Sequence, residues 1–135
     1  MPGLLLNIDV PDIAAGEAFY TRAFGLTVGR RLGADFVELL GLEAPLYLLK
    51  KDAGTPFAPD RDEQRRYQRH WSPIHPDIVV DDLESASERA LAAGAVLEVH
   101  ACDAPYGRIA MFADPFGHGF CLIQFNSDGY DAIAT

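Results

Sequence analysis

Leu6-Asn7-Ile8-Asp9-Val10-Pro11-Asp12-Ile13 and Pro76-Asp77-Ile78-Val79-Val80-Asp81-Asp82-Leu83 are the two stretches that decide the fold. The second repeats the first at an offset of 70 residues, so that Val80 stands for Val10, Asp82 for Asp12 and Asp77 for Asn7. Each alternates in strand fashion up to its valine and then presents an aspartate where a helix N-cap belongs. A strand-to-helix junction that recurs within one short chain predicts two copies of a single module.

The residues downstream extend both copies. After Asp12, the side chains of Ile13, Gly16, Phe19, Tyr20, Ala23 and Phe24 fall on one helical face, and Gly25 is a natural stop. After Asp82, Leu83, Ala86, Ala90, Leu91 and Ala93 do the same, and Gly94 closes the helix. Three short strand-like segments follow each helix: residues 26–32, 34–40 and 44–50, then 95–101, 107–113 and 118–125. Asp114-Pro115-Phe116-Gly117 joins the last two with the residues of a type I turn. The expected fold is therefore α+β, built from two βαβββ modules at 1–50 and 74–126.

The connection, 51–73, is rich in Pro, Gly and charge. Arg61, Arg65 and Arg69 share an i, i+4 row there, with Tyr67 and Trp71 on another face, so the stretch is expected either as a solvated linker helix between modules or as a segment that covers a site. The tail, 127–135, offers little to bury beyond Tyr130 and Ile133.

Composition narrows the function classes. The 135 residues are 49% hydrophobic and 23% charged, which fits a globular domain rather than a disordered one. No apolar run approaches the ~18–20 residues that span a bilayer, and the first residues lack the basic region of a signal peptide, so the expected place of work is the cytoplasm. Eleven Lys and Arg against twenty Asp and Glu give a net charge of −9. That charge repels phosphate backbones and anionic lipids, so neither nucleic acid nor membrane is an expected partner, and it favours encounter with cationic small molecules. Cys102 and Cys121 form no disulfide framework and no CxxC pair.

The Val-Pro-Asp start with its Phe19-Tyr20 and Ala23-Phe24-Gly25-Leu26 helix end, together with Val80-Asp81-Asp82-Leu83 and Asp114-Pro115-Phe116-Gly117-His118-Gly119-Phe120, resembles the vicinal oxygen chelate superfamily. That group includes glyoxalase I, bleomycin-resistance proteins, fosfomycin-resistance enzymes and extradiol dioxygenases. The resemblance implies a curved eight-stranded cup that takes a small ligand, and a homodimeric assembly. It also implies four metal-ligand positions, on the first and last strands of each module. Carried over by spacing, these fall on Leu5, Leu48, His75 and Cys121, all expected on the cup side. Leucine ligates nothing, and His75 with Cys121 makes only two donors, fewer than a catalytic zinc keeps. No resident metal or other cofactor is expected, only weak adventitious capture of a divalent ion by the His/Cys pair.

His75 is the imidazole expected to face the cup, as general base or as hydrogen-bond partner, or as an inherited cup residue without a role. Asn7, Asp9 and Asp77 share its strand parity and could orient a ligand. Phe36, Trp71 and Met111 offer contact area, and Arg108, Glu38 and Cys121 complete the candidate set. Three functions compete: a metal-independent binder of a small organic molecule such as an antibiotic or metabolite; a glyoxalase-type lyase or isomerase using His75 as base or an unrecognised metal site; and a structural interaction module, which would leave the cup without a purpose.

Overall fold

In the computed structural model, which describes residues 1–135, Asp12 is the N-cap the repeat predicts. Its backbone is extended and its carboxylate accepts a hydrogen bond from Ala15 N at 2.7 Å. It separates β1 (Leu6–Val10) from α1 (Ile13–Phe24), and Gly25 ends the helix at φ 67°, a left-handed conformation that glycine adopts without strain. Three strands follow: β2 (Thr27–Arg31), β3 (Phe36–Leu40) and β4 (Leu46–Lys50). They form one sheet in the order β1-β4-β3-β2, with β1 parallel to β4 and the other pairs antiparallel.

Helix α1 buries Gly16, Phe19, Tyr20 and Ala23 against that sheet. A Cβ on Gly16 would stand 3.1 Å from Val10 and 3.2 Å from Leu48, so the missing side chain lets the helix lie close to β1 and β4. Val10, Leu39, Leu46 and Leu48 are almost wholly buried beneath it.

The second copy repeats the plan with β5 (Asp77–Val79), α2 (Leu83–Ala93), β6 (Val96–Ala104), β7 (Gly107–Ala113) and β8 (Gly119–Phe125). Its sheet runs β5-β8-β7-β6, again with one parallel pair, β5 with β8. Asp82 caps α2 by accepting from Glu84 N and Ser85 N, and Gln124 Oε1 accepts from Leu83 N at 2.8 Å. In the turn before β8, Gly117 N donates to Asp114 O at 3.3 Å. The buried Asp114 carboxylate accepts from Phe116 N and His118 N at 2.8 Å each. Both modules are βαβββ units, and the fold is α+β.

The chain divides into two compact units, 1–68 and 69–135. The connection forms no helix. Residues 54–65 fold back as an extended pair: Gly54 N donates to Arg65 O, Arg65 N donates to Thr55 O, and Pro56 bridges to Gln64. The Arg65 backbone N–H and C=O pair with Thr55 and Gly54, so they are not available to a helix along the arginine row. Arg65 is held instead by distant partners, with Nε donating to Asp9 at 2.8 Å and an NH group donating to Pro56 O at 2.6 Å. The tail forms a 3-10 helix at Gly129–Ile133, where the Tyr130 ring lies 4.8 Å from Phe125 and 5.2 Å from Tyr106. No helix is long and apolar enough to cross a membrane.

Candidate functional site

Each sheet has one face under its helix and one face turned away, and strand register decides which side chains reach the second. In the first unit Asn7 pairs with Tyr47 and Tyr47 with Glu38, so these three share the face away from α1. Glu38 is the centre of a closed network. Its carboxylate accepts from Tyr47 OH at 2.7 Å, from Arg30 NH2 at 2.7 Å, from Arg30 Nε at 3.1 Å and from Arg30 backbone N at 3.1 Å. A Cβ on Gly29 would stand 2.6 Å from Glu38 Oε1, so glycine there and the irregular register of β2 let the backbone reach the carboxylate. The Arg30 and Tyr47 hydrogen bonds hold the Glu38 carboxyl down to about 2, and donation to that carboxylate raises Tyr47 above the usual phenol range. The Phe36 ring meets Tyr47 edge-on at 5.3 Å, and Asp9 is engaged by Arg65.

In the second unit Asp77 pairs with Cys121 and Cys121 with Met111, which puts these three on the face away from α2. His75, just ahead of β5, brings Nδ1 within 2.9 Å of Asp77 Oδ1. One donor atom each from His75, Asp77 and Cys121 lie within 4.8 Å of one another. Cys121 is 4% exposed, and its thiol is pushed up to about 11, first by burial and then by the Asp77 carboxylate and the charge of Glu98. Arg69 forks onto Glu98 at 2.6 and 2.8 Å, and it donates to His70 O. Its guanidinium lies over Gly119, where a Cβ would stand 2.7 Å from NH2.

Several expected placements change. Leu48 faces α1, not the cup: it pairs with Ile8, touches the Gly16 position and is fully buried. Tyr47 is the true counterpart of Cys121, because Asn7 pairs with Tyr47 as Asp77 pairs with Cys121. The expected and observed positions differ by one residue, and a one-residue shift puts a side chain on the other face of its strand. Arg108 pairs with Gln124, whose side chain reaches the start of α2, so it lies on the helix side. There it donates to Asp103 and lines a groove of about 390 Å³ with Glu88, Leu91, Leu97 and His100. Leu5 precedes β1 and is 58% exposed, and Trp71 is 80% exposed ahead of β5. Arg30, Tyr47 and Glu98 carry no motif in the sequence, and Arg69, expected on a solvated helix, pairs with Glu98 instead.

Residues 6–123 match the family described as Glyoxalase-like domain. The chain belongs to that family. This glyoxalase-like chain is also similar to the fosfomycin resistance protein FosX from Listeria monocytogenes, at 17% identity and TM-score 0.70 over 95% of this chain and 97% of that one. A variant of FosX was crystallised with Mn(II) and 1S,2S-dihydroxypropylphosphonic acid. A glyoxalase/bleomycin resistance protein/dioxygenase family enzyme from Burkholderia phytofirmans PsJN matches at 20% identity and TM-score 0.66, covering 90% and 97% of the two chains. Lactoylglutathione lyase from Agrobacterium tumefaciens matches at 20% and 0.58, covering 91% and 94%. At such identities the likeness establishes the fold. No curated protein matches.

The metal that the resemblance implies does not fit the four positions of this glyoxalase-like chain. Leu5 offers hydrocarbon. Tyr47 already donates its hydroxyl hydrogen to Glu38, and Glu38 is saturated by Arg30. A dication placed there would lose its hydration without gaining donors in return.

Proposed function

We propose that the chain binds a small organic molecule, an antibiotic or a metabolite, against the sheet faces turned away from its helices. In this reading it is a cytoplasmic homodimer, and no catalytic metal is held in common by the two modules. The observation that carries the reading is the Arg30–Glu38–Tyr47 network beside Phe36. It puts fixed polar groups next to an aromatic edge, which is what orients a ligand in an apolar site. The Arg30 side chain remains 67% exposed while its partner is 8% exposed, so the guanidinium keeps an outer edge for hydrogen bonding. The test is purification from the native host followed by mass spectrometry of what stays bound. A retained molecule that is lost in Tyr47→Phe and Glu38→Gln supports the reading. Retention unaffected by both variants defeats it. A monomer mass in light scattering at micromolar concentration would remove the homodimer.

A second reading has its own observation. The His75–Asp77 contact at 2.9 Å resembles a carboxylate-oriented imidazole, the arrangement of a general base in a lyase or isomerase. A hemithioacetal or keto-acid exchange assay, abolished by His75→Gln and slowed by Asp77→Asn, would favour that reading.

A further inference from the structure

The second module carries an opening on its helix side, where the groove of about 390 Å³ runs between α2 and the β6–β7 edge of the sheet. Comparison with the first module shows how it arises. Counted from the N-caps Asp12 and Asp82, Glu17 of α1 corresponds to Ser87 of α2. Leu48 and Leu122 pair with the central first-strand residues Ile8 and Ile78, so their other partners, Val37 and Ala110, correspond as well. Arg31 pairs with Val37, and the matching stretch of β6, between Val99 and Cys102, holds His100 and Ala101. In the first module Arg31 forks onto Glu17 with two bonds of 3.0 Å and bridges helix and outer strand. In the second, Ser87 and Ala101 are too short to build that bridge, and both line the groove.

The lining is sorted by chemistry. The floor is apolar, with Leu83 and Ala110 almost wholly buried and Leu97 half-buried. Glu84 and Glu88 stand one turn apart on the helix side, and His100 and Arg108 stand on the strand side. Of these four only Arg108 is ion-paired, through Nε to the exposed Asp103 at 3.1 Å. Its two NH2 groups keep their hydrogens for another acceptor. Opposite charges thus line the two sides of an apolar floor without pairing to each other, and a ligand that carries both charges can satisfy both sides.

We infer that this groove binds an amino acid with an apolar body, its ammonium on Glu84 and Glu88 and its carboxylate on Arg108 and His100. Each charge of the ligand then meets its opposite, and the hydrocarbon displaces water from Leu83, Leu97 and Ala110. A ligand with a single charge leaves one side unmatched. The inference goes beyond the small-molecule reading and does not depend on it, because that reading concerns the sheet faces turned away from the helices.

The test is an amide-resolved NMR titration of the full chain with L-phenylalanine, whose charges are adjacent, and with 6-aminohexanoate, whose charges are far apart. Expected are saturable shifts at Leu91, Leu97, Ala101 and Ala110 with at least one of the two. The corresponding single-charge analogues, phenylalaninamide and N-acetylphenylalanine or hexylamine and hexanoate, should bind at least ~10-fold more weakly, as should the parent ligand to Arg108→Gln, each having lost a charged hydrogen-bond partner. Ser87→Glu combined with Ala101→Arg rebuilds the bridge of the first module and should abolish the shifts. No saturable shift at the groove of the wild-type chain at millimolar ligand overturns the inference. So do single-charge analogues that bind as tightly as the parent, or shifts that persist in the double variant with its circular dichroism intact. Where the double variant fails to fold, affinity indifferent to the exposed Arg108→Gln change overturns it. Shifts at Phe36 and Tyr47 bear only on the earlier reading, so the two can fail separately.

Discussion

Tyr47 and Cys121 occupy the same place in the two modules, each on the last strand, each paired with the first strand and each facing away from the helix. The modules have filled that place differently. Tyr47 closes a network in which it and Arg30 both donate to Glu38, whereas Cys121 meets His75, Asp77 and the edge of the Arg69–Glu98 pair. One scaffold thus presents an ion-paired polar patch in one copy and a buried thiol beside an imidazole and a carboxylate in the other.

The reassignment of Leu48 to the helix face can be measured directly. Leu48→Ala removes a fully buried side chain between α1, β1 and β3 and should cost ~2–5 kcal/mol. Leu5→Ala, at a position 58% exposed, should stay within ~0.5 kcal/mol. Urea unfolding of the two variants checks both, and equal costs would return Leu48 to the cup side.

Glu38 makes the stability of the chain sensitive to acid. Its folded value, about 2, lies below the ordinary carboxylate value of 4.5, so the folded state binds its proton less readily than the unfolded chain does. The stabilisation is therefore complete above pH ~4.5 and is lost as pH falls toward 2. Glu38→Gln should lower Tm by several degrees at pH 7 and flatten the fall between those limits. Thermal melts at half-unit pH steps give the comparison.

The two thiols of the metal-stripped protein should separate by pH. Cys102 is exposed and open to alkylation, whereas Cys121 is buried with its thiol pushed up to about 11. A thiol raised this far carries almost no thiolate at neutral pH. Brief alkylation of folded protein at pH 7.5 should label Cys102 alone, and labelling of Cys121 should rise only as pH nears 11. Peptide mass spectrometry assigns the sites.

Most of the architecture was legible because its signals are local. Asp12 and Asp82 as caps, Gly25 and Gly94 as stops, and the Asp114 turn each act within four residues. The errors have a common physical source. Tyr47 sits among Leu46, Leu48 and Leu49, so apolar alternation carries no information about facing, and the register resides in hydrogen bonds to β1. Arg65 belongs to a helical arginine row in the sequence, yet its partner Asp9 lies 56 residues away. The Arg30–Glu38 pair needed the irregular register of β2, which no residue pattern announces. Arg30–Glu38 joins two strands across an irregular register and Arg69–Glu98 spans 29 residues, so neither pair is announced by the local pattern.

The Asp114 turn connects this legible part of the fold to the site, because β8 begins two residues after it and carries Cys121. Asp114 is 2% exposed and its carboxylate holds the backbone N–H groups of Phe116 and His118. Replacing it with alanine leaves two donors in or near the core without that acceptor, a loss of ~2 kcal/mol or more. Asp114→Asn keeps one side-chain oxygen and the volume, so it should recover part of that loss. The effect should also reach the cluster: a loosened turn lets the start of β8 fray and exposes Cys121 by local opening. Alkylation of Cys121 at pH 7.5 should therefore be faster in Asp114→Ala than in Leu48→Ala, even if the second variant is the less stable overall. Equal rates, or rates that track global stability alone, would show that the turn does not control the order of the β8 strand.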